Sequence, residues 1–253
     1  MSVAAAARLL RNARHATAFT GAGISVESGI PPFRGVDGLW NNYDPRCLDI
    51  GYFHAHPEDA WRVIKELFYD FFGSAHPNDA HRSLAVLEQD GIVKALITQN
   101  IDNLHQEAGS RTVFEFHGSS RQLLCLACGA RRSAQTIDLS TLPPRCGCGG
   151  ILKPDFVFFG ESIPEEASRL SFAEAERADV FLLIGTTGEV MPACLIPEEA
   201  KRRGATIIEI NTEPSNYTGR ISDIFLRGKA TELMRALLGE MGLRDRLPPP
   251  PLP

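Results

Sequence analysis

The sequence predicts an α/β protein: a Rossmann-like parallel sheet with helices on both faces, carrying a small second domain. Three observations predict it. Apolar runs such as 180–184 and 206–210 lack the period of two that marks a one-sided strand, so both faces of those strands are covered. These runs alternate with segments of helical periodicity. The 253 residues exceed one domain of about 150, and four cysteines cluster between 125 and 148, where a small module fits.

Residues 3–14 place Val3, Ala7, Leu10 and Ala13 on one face and predict a first helix. A short strand over 15–20 is broken by Gly21-Ala22-Gly23-Ile24-Ser25. Residues 38–79 begin aromatic-rich and irregular, with Trp40, Tyr43, Tyr52 and Phe53. A helix then starts after His56: Pro57 suits its first turn, and Glu58 and Asp59 suit its positive end. It is expected to reach about Phe72. Asn78 caps another helix through Gln89, stopped by Gly91. Residues 92–98 form a strand, then Gln99-Asn100-Ile101-Asp102 precede a short helix, 103–108, for which Asp102 is a natural N-cap. A strand over 113–116 ends at His117-Gly118. Beyond the cysteine segment, 121–150, strands are expected at 180–184, 206–210 and 225–226, and helices at 192–203 and 229–240. The proline-rich tail, 247–253, is expected to be disordered. The expected large domain comprises 1–37, 80–120 and 153–253. The small domain has a helical part, 38–79, and a cysteine-bearing part, 121–152.

Composition narrows the function. With 26 Lys and Arg against 31 Asp and Glu, the net charge of −5 argues against direct nucleic-acid binding by phosphate neutralisation. No apolar run approaches the ~18 residues of a membrane span, and the N-terminus lacks a signal-peptide core, so no membrane association and a cytoplasmic location are expected. Clustered cysteines there point to metal before disulfides. Cys125-Leu126-Ala127-Cys128 is a C-x2-C pair and Cys146-Gly147-Cys148 a C-x-C pair. Four thiolates so spaced suit one tetrahedral structural zinc, with an iron–sulfur cluster or redox dithiols as alternatives. Gly149 and Gly150 could supply the turn of the shorter pair. Cys47 and Cys194 are assigned to packing.

In parallel sheets, ligands bind beyond the carboxyl ends of the strands, which directs attention to 20–25, 98–102, 117, 185–189 and 211–213. Gly21-Ala22-Gly23 permits either a pyrophosphate turn or a purely structural one, because Val26 occupies the third glycine position of the dinucleotide fingerprint. Ser28-Gly29-Ile30-Pro31-Pro32-Phe33-Arg34 has the composition of a loop that folds over a ligand. Of the seven histidines, His15, His54, His56, His76 and His81 suggest solvated or capping roles, and His105 an orienting one. His117 differs: it ends a strand at the ligand-binding edge, and imidazole suits proton removal near neutral pH.

Several segments together resemble the signature of the sirtuins, the NAD-dependent protein-lysine deacylases, over about residues 5–240. They are the glycine turn with Gly29-Ile30-Pro31-Pro32-Phe33-Arg34, Thr98-Gln99-Asn100-Ile101-Asp102-Asn103-Leu104-His105, His117-Gly118, the paired cysteines, Phe158-Phe159-Gly160-Glu161, and Gly185-Thr186-Thr187 with Val190 and Pro192. The resemblance implies that NAD is co-substrate, that one structural zinc is bound, and that acyl-lysine proteins or peptides are the partners. It implies His117 as catalytic base, with Asn100 and Asp102 acting in a nicotinamide pocket that Ile101 completes. Gln99 would contact the nicotinamide ribose, Phe33 would shield it from water, and Arg34 would contact phosphate or order the loop. Gly21, Ala22 and Gly23 would approach the phosphates. Gly185, Thr186, Thr187, Asn211, Thr212, Glu213, Lys229 and Ala230 would hold the adenosine side. Thr187 stands where serine is usual, and Val26 where many members carry a hydroxyl. Val157, Phe159, Gly160 and Glu161, faced by Glu189 and Val190, would dock the substrate as an added strand.

The implied reaction begins when the acyl carbonyl oxygen attacks the anomeric carbon and nicotinamide departs. It ends in free lysine and O-acyl-ADP-ribose. Positions matching the Tyr and Arg of desuccinylating members are Ile64 and Leu67, so acetyl or longer neutral acyl groups are favoured over succinyl. The alternatives are mono-ADP-ribosyl transfer to protein side chains and a non-catalytic ADP-ribose-binding module; Val26 disfavours a dehydrogenase. The short termini fit a minimal, prokaryotic form, and a monomer is plausible.

Overall fold

The structure is a computed structural model and describes residues 2–33 and 38–248. Arg34 and the last five residues of the expected disordered tail lie outside the described residues.

The chain opens with α1 (Val3–Asn12), capped by Ser2, and β1 (Ala16–Thr20), all five of whose residues are buried. A 3-10 helix, Ala22–Ser28, follows the glycine turn. The segment expected to be irregular contains α2 (Ile50–Ala55), with Asp49 accepting from Tyr52 N–H. The helix expected over 57–72 begins as α3 (Pro57–Ile64), widens into a π-helix over Lys65–Phe71 and tightens over Phe72–Ser74. Lys65 Nζ bonds both carboxylate oxygens of Asp70, a five-residue spacing that suits the wider turn. Then come α4 (Asp79–Gln89), β2 (Val93–Thr98), α5 (Leu104–Glu107) and β3 (Val113–Glu115). Asn78 caps α4 as expected.

Next are β4 (Gly118–Cys125), β5 (Arg131–Ser133) and β6 (Leu152–Phe156), which form an antiparallel sheet of order β5-β4-β6. The last elements are α6 (Glu165–Arg177), β7 (Val180–Ile184), α7 (Leu195–Arg202), β8 (Thr206–Asn211), β9 (Ile224–Arg227) and α8 (Ala230–Glu240). The helix expected over 192–203 is thus shorter, and α6 has no counterpart in the sequence reading.

The large sheet has order β3-β2-β1-β7-β8-β9, with every pairing parallel. Numbered within this sheet, that is 3-2-1-4-5-6, the doubly wound order whose switch point falls between β1 and β7. One apolar layer packs Leu10, Leu84 and Leu237 of α1, α4 and α8 against one face. A second packs Ala175, Ile196 and Ala200 of α6 and α7 against the other. The expected parallel sheet with helices on both faces is therefore what forms. A third cluster centres on Trp61, Phe53, Phe68, Phe156 and Phe158 and joins the 39–72 segment to the small sheet. Trp61 is fully buried and donates its indole N–H to Leu152 O at 2.8 Å.

Candidate functional site

The switch point brings the two glycine turns into contact. Gly21 N–H donates to Ile184 O and Gly23 N–H to Gly185 O, at 3.0 and 2.8 Å. A Cβ at Gly23 would lie 2.6 Å from Gly185 Cα, and one at Gly21 2.8 Å from Gly185 O. Glycine is required at these positions by backbone against backbone. The turn then enters the Ala22–Ser28 helix, whose N-terminus carries no side-chain cap, which suits an anion.

Beneath the turn lies a buried polar network. Ser25, fully buried, donates to Asp102 Oδ2 at 2.7 Å and accepts from Asn100 Nδ2 at 3.2 Å. Asn100 Nδ2 also reaches Gly21 O at 3.1 Å. Burial pushes the Asp102 carboxyl above its ordinary pKa, opposed by donors from Ser25, Leu104 N–H and Asn100. Asp102 does accept from Leu104 N–H, but the cap position of α5 belongs to Asn103, at φ 66°. The capping expectation for Asp102 is corrected accordingly: its other oxygen is committed to Ser25.

His81 and His105 lie deeper, with ring centroids 4.8 Å apart. His81 is fully buried, so of its two expected roles only capping holds: its Nδ1 accepts from Asn78 N–H. His105 meets Thr20 Oγ1 at 2.9 Å, Thr20 donates to Thr98 Oγ1, and Thr98 Oγ1 accepts from Asn100 N–H. The chain of groups fixes the backbone of Asn100 from below. Burial drives the His105 pKa down to about 3 and that of His81 well below its ordinary value, so both imidazoles are neutral.

His117 is half-buried at the end of β3. Its Nδ1 lies 3.0 Å from Gln99 O. A carbonyl only accepts, so Nδ1 carries the hydrogen and Nε2 keeps a lone pair. Burial lowers the pKa, partly offset by this bond. Gln99 in turn donates from Nε2 to Thr186 Oγ1 at 3.1 Å, linking the ends of β2 and β7.

The other expected residues distribute along the same edge. Thr186 is buried and Thr187 exposed; Asn211 Nδ2 donates to Thr186 O at 3.0 Å. Glu213 pairs with Arg227 on the surface, and Thr212 O accepts from the same arginine. Lys229 is the N-cap of α8, while Ala230 is buried; the next residue, Thr231, is held by Glu27 through both N–H and Oγ1. Phe33 packs on Trp40 at 5.3 Å, and Ile101 is buried. Phe159 is 46% exposed and Gly160 exposed, Val157 N–H donates to His117 O, and Glu189 and Val190 lie on the loop after β7. Glu161 turns its carboxylate inward, to Lys153 and Phe158 N–H. Ile64 and Leu67 are core residues.

Sequence reasoning missed Ser25, Thr20, Thr98 and Lys153 as contributors. Ser25 lay inside the quoted glycine run, and Thr20 and Thr98 each end a buried strand at the ligand edge, which was the available signal.

Cys125 at the end of β4 and Cys128, Cys146 and Cys148 in the turns beside it bring one sulfur each within 4.8 Å of all the others. Cys125 and Cys148 sulfurs are 3.5 Å apart, and those of Cys128 and Cys146 3.9 Å. A tetrahedron with Zn–S of about 2.3 Å has edges of about 3.8 Å, so the donor set fits zinc. Gly149 takes φ +87°, and a Cβ on Gly150 would strike Cys125 Sγ at 2.8 Å.

Comparison with known proteins agrees with this geometry. The model of the Sir2 family matches residues 21–192. An NAD-dependent protein deacylase of Aeropyrum pernix is 47% identical over 246 residues, covering 94% of this chain and 96% of that protein. One of Thermococcus kodakarensis is 47% identical over 247 residues, covering 92% and 93%. A solved Sir2–p53 peptide–NAD+ complex superposes with a TM-score of 0.89 at 34% identity, over 96% of this chain and all of that one.

Proposed function

The chain belongs to the Sir2 family and is an NAD-dependent protein deacylase, and we propose that the β1/β7 crevice carries out this activity with His117 as base. The observation that carries the assignment is the tautomer of His117. Its Nδ1–H is tied to Gln99 O, its Nε2 is free to take a proton, and burial keeps it neutral near pH 7.

NAD is the co-substrate and supplies an anomeric carbon activated by its nicotinamide leaving group. The residues described above fit it: a close backbone turn at Gly21, Ala22 and Gly23 for the phosphates, and Thr186, Thr187, Asn211, Thr212, Glu213, Lys229 and Ala230 toward the adenosine. Asn100 points its amide nitrogen at Gly21 O and Ser25, so its oxygen is the end offered to a carboxamide N–H. Asp102, braced by Ser25, and Ile101 complete that pocket, with Gln99 at the ribose. Phe33 would exclude water, and Arg34, outside the described residues, would contact phosphate or order the loop. His117 accepts a ribose hydroxyl proton at Nε2, which prepares that oxygen to attack the acyl carbon. Val157, Phe159, Gly160, Glu189 and Val190 line the acyl-lysine side, and Ile64 and Leu67 favour neutral acyl groups. Zinc, held by Cys125, Cys128, Cys146 and Cys148, is structural.

The same reading divides the chain into 1–37, 80–120 and 153–253 against 38–79 and 121–152. It keeps the expected cytoplasmic location and leaves the oligomeric state open, with a monomer compatible; among the described residues no helix is long and apolar enough to cross a membrane. The test is nicotinamide release that depends on an acetyl-lysine peptide, with O-acetyl-ADP-ribose identified by mass spectrometry. ADP-ribosylated protein instead would indicate transferase chemistry, and release independent of peptide would refute the assignment.

A further inference from the structure

Lys153 is a buried cation with no part in the chemistry above. It lies on β6 at 2% exposure. Its Nζ donates to Pro154 O at 2.9 Å and Phe156 O at 2.8 Å, and pairs with Glu161 Oε2 at 3.0 Å. An ammonium has three N–H groups, and these are its three acceptors. The same Nζ sits 4.0 Å from the centroid of the Phe158 ring. Glu161 Oε2 also accepts from Phe158 N–H at 2.8 Å. Ammonium and carboxylate together tie residues 153 and 161 to the backbone at 154, 156 and 158.

The segment so tied is held from outside as well. Val157 N–H donates to His117 O at 2.8 Å. Phe159 N–H donates to Leu48 O, and Ile50 N–H to Phe159 O, at 2.7 and 3.0 Å. Residues 157–160 thus hang between the backbone of the base and the small domain, with Phe159 and Gly160 outermost. An ion pair that bonds backbone at 154, 156 and 158 fixes the path of the segment after β6 relative to His117. Burial lowers the Lys153 pKa, and the Glu161 carboxylate opposes that shift.

We propose that Lys153 and Glu161 are a pair of positioning residues that set the substrate-docking strand 157–160 in register with His117. This reassigns Glu161, whose Oε2 is engaged by Lys153 Nζ and Phe158 N–H. The proposal rests on the deacylase reading.

The test uses the full-length, zinc-loaded protein with Lys153→Met and Glu161→Gln. The acetyl-peptide KM is expected to rise roughly tenfold or more, because removing one buried partner strands the other. The NAD KM is expected to stay within about twofold, since the nucleotide turns are built on β1 and β7. A general stability role would lower the active fraction, hence kcat, with both KM values unmoved; that result overturns the proposal, as does an equal rise in both. If Lys153→Met does not fold, Lys153→Arg keeps the charge but not the three-way donor geometry, and raised peptide KM at unchanged NAD KM is again expected. Anisotropy of a labelled acetyl-lysine peptide separates the two readings. A wild-type protein that binds peptide but releases no nicotinamide defeats the deacylase reading, and peptide binding lost in Lys153→Met then still supports the positioning pair. Binding retained there defeats it.

Discussion

Gly185 and Gly242 make a matched pair for measuring how tightly the two glycine turns after β1 and β7 abut. Their φ angles are +64° and +66°. Alanine at either position incurs the same left-handed strain, about 1–2 kcal/mol. Their surroundings differ completely. A Cβ on Gly242 meets nothing within 4 Å, while one on Gly185 would lie 2.5 Å from Gly23 C and 2.7 Å from Gly23 Cα. Ordinary contact begins near 3.4 Å, so the turns must part by most of an ångström, against backbone that cannot swing aside. Overpacking of this kind costs about 1–3 kcal/mol. Gly185→Ala should therefore destabilise by about 2–5 kcal/mol in total and Gly242→Ala by about 1–2. Urea unfolding of both variants at equal m-value measures the difference. Gly185→Ala should also raise the NAD KM, and Gly242→Ala should not. Unfolding free energies within about 0.5 kcal/mol of each other would refute the claim that these turns are in backbone contact.

Other expectations follow from the same site. His117→Ala should lower kcat by about 10²–10⁴ while NAD still raises the melting temperature, and near-normal turnover would remove His117 as base. His81 and His105 are held neutral by burial, so the native state binds fewer protons than the unfolded chain. Their contribution to stability is complete above the unfolded pKa of about 6.5 and is lost as pH falls below it toward the folded values. Urea midpoints should drop from pH 6.5 toward 4, and His105→Gln should flatten the drop. Metal analysis should give one zinc per chain, and a strong chelator should lower the melting temperature and abolish turnover; full activity in zinc-free protein contradicts the structural role. Acetyl peptide should be turned over faster than succinyl peptide, because Ile64 and Leu67 offer no hydroxyl or guanidinium to a distal carboxylate; the reverse order overturns that preference.

The sheet was legible because its strands are apolar on both faces and end in Gly, Thr, Asn or His. What was not legible has local causes. Helix α6 is polar over much of its length, with Glu165, Glu166, Arg169, Glu174, Glu176 and Arg177, and only Ser171, Glu174 and Ala175 are buried. Its apolar stripe is too thin to announce a helix. The π-helix over Lys65–Phe71 keeps helix-forming residues, so composition cannot distinguish it from the α-helix expected there. The small sheet escaped because β5 is only three residues long and β6 returns to β4 from beyond both cysteine pairs. At the expected site, the sequence names residues but not their partners. Glu161 was assigned to substrate from its place in the Phe158-Phe159-Gly160-Glu161 run, and only the fold shows Lys153 beneath it.

The broken glycine fingerprint follows from the same geometry. In a dinucleotide fold the third glycine allows the first helix to pack closely on its strand. Here that position is Val26, and it is 44% exposed, so nothing approaches it closely enough to demand glycine. The segment after the turn is a 3-10 helix, not the long crossover helix of a dehydrogenase. It is anchored by side chains: Asn78 Nδ2 donates to Ile24 O and to Ser28 Oγ, and Glu27 binds the first turn of α8. Its inner residue, Ser25, is thereby turned toward Asn100 and Asp102. A long helix packed on β1 would leave no place for a buried serine to brace a carboxylate. Loss of the third glycine and gain of the Ser25–Asp102 bond are one structural choice: the turn is shortened so that its far end can brace Asn100 and Asp102, the residues proposed for the nicotinamide pocket.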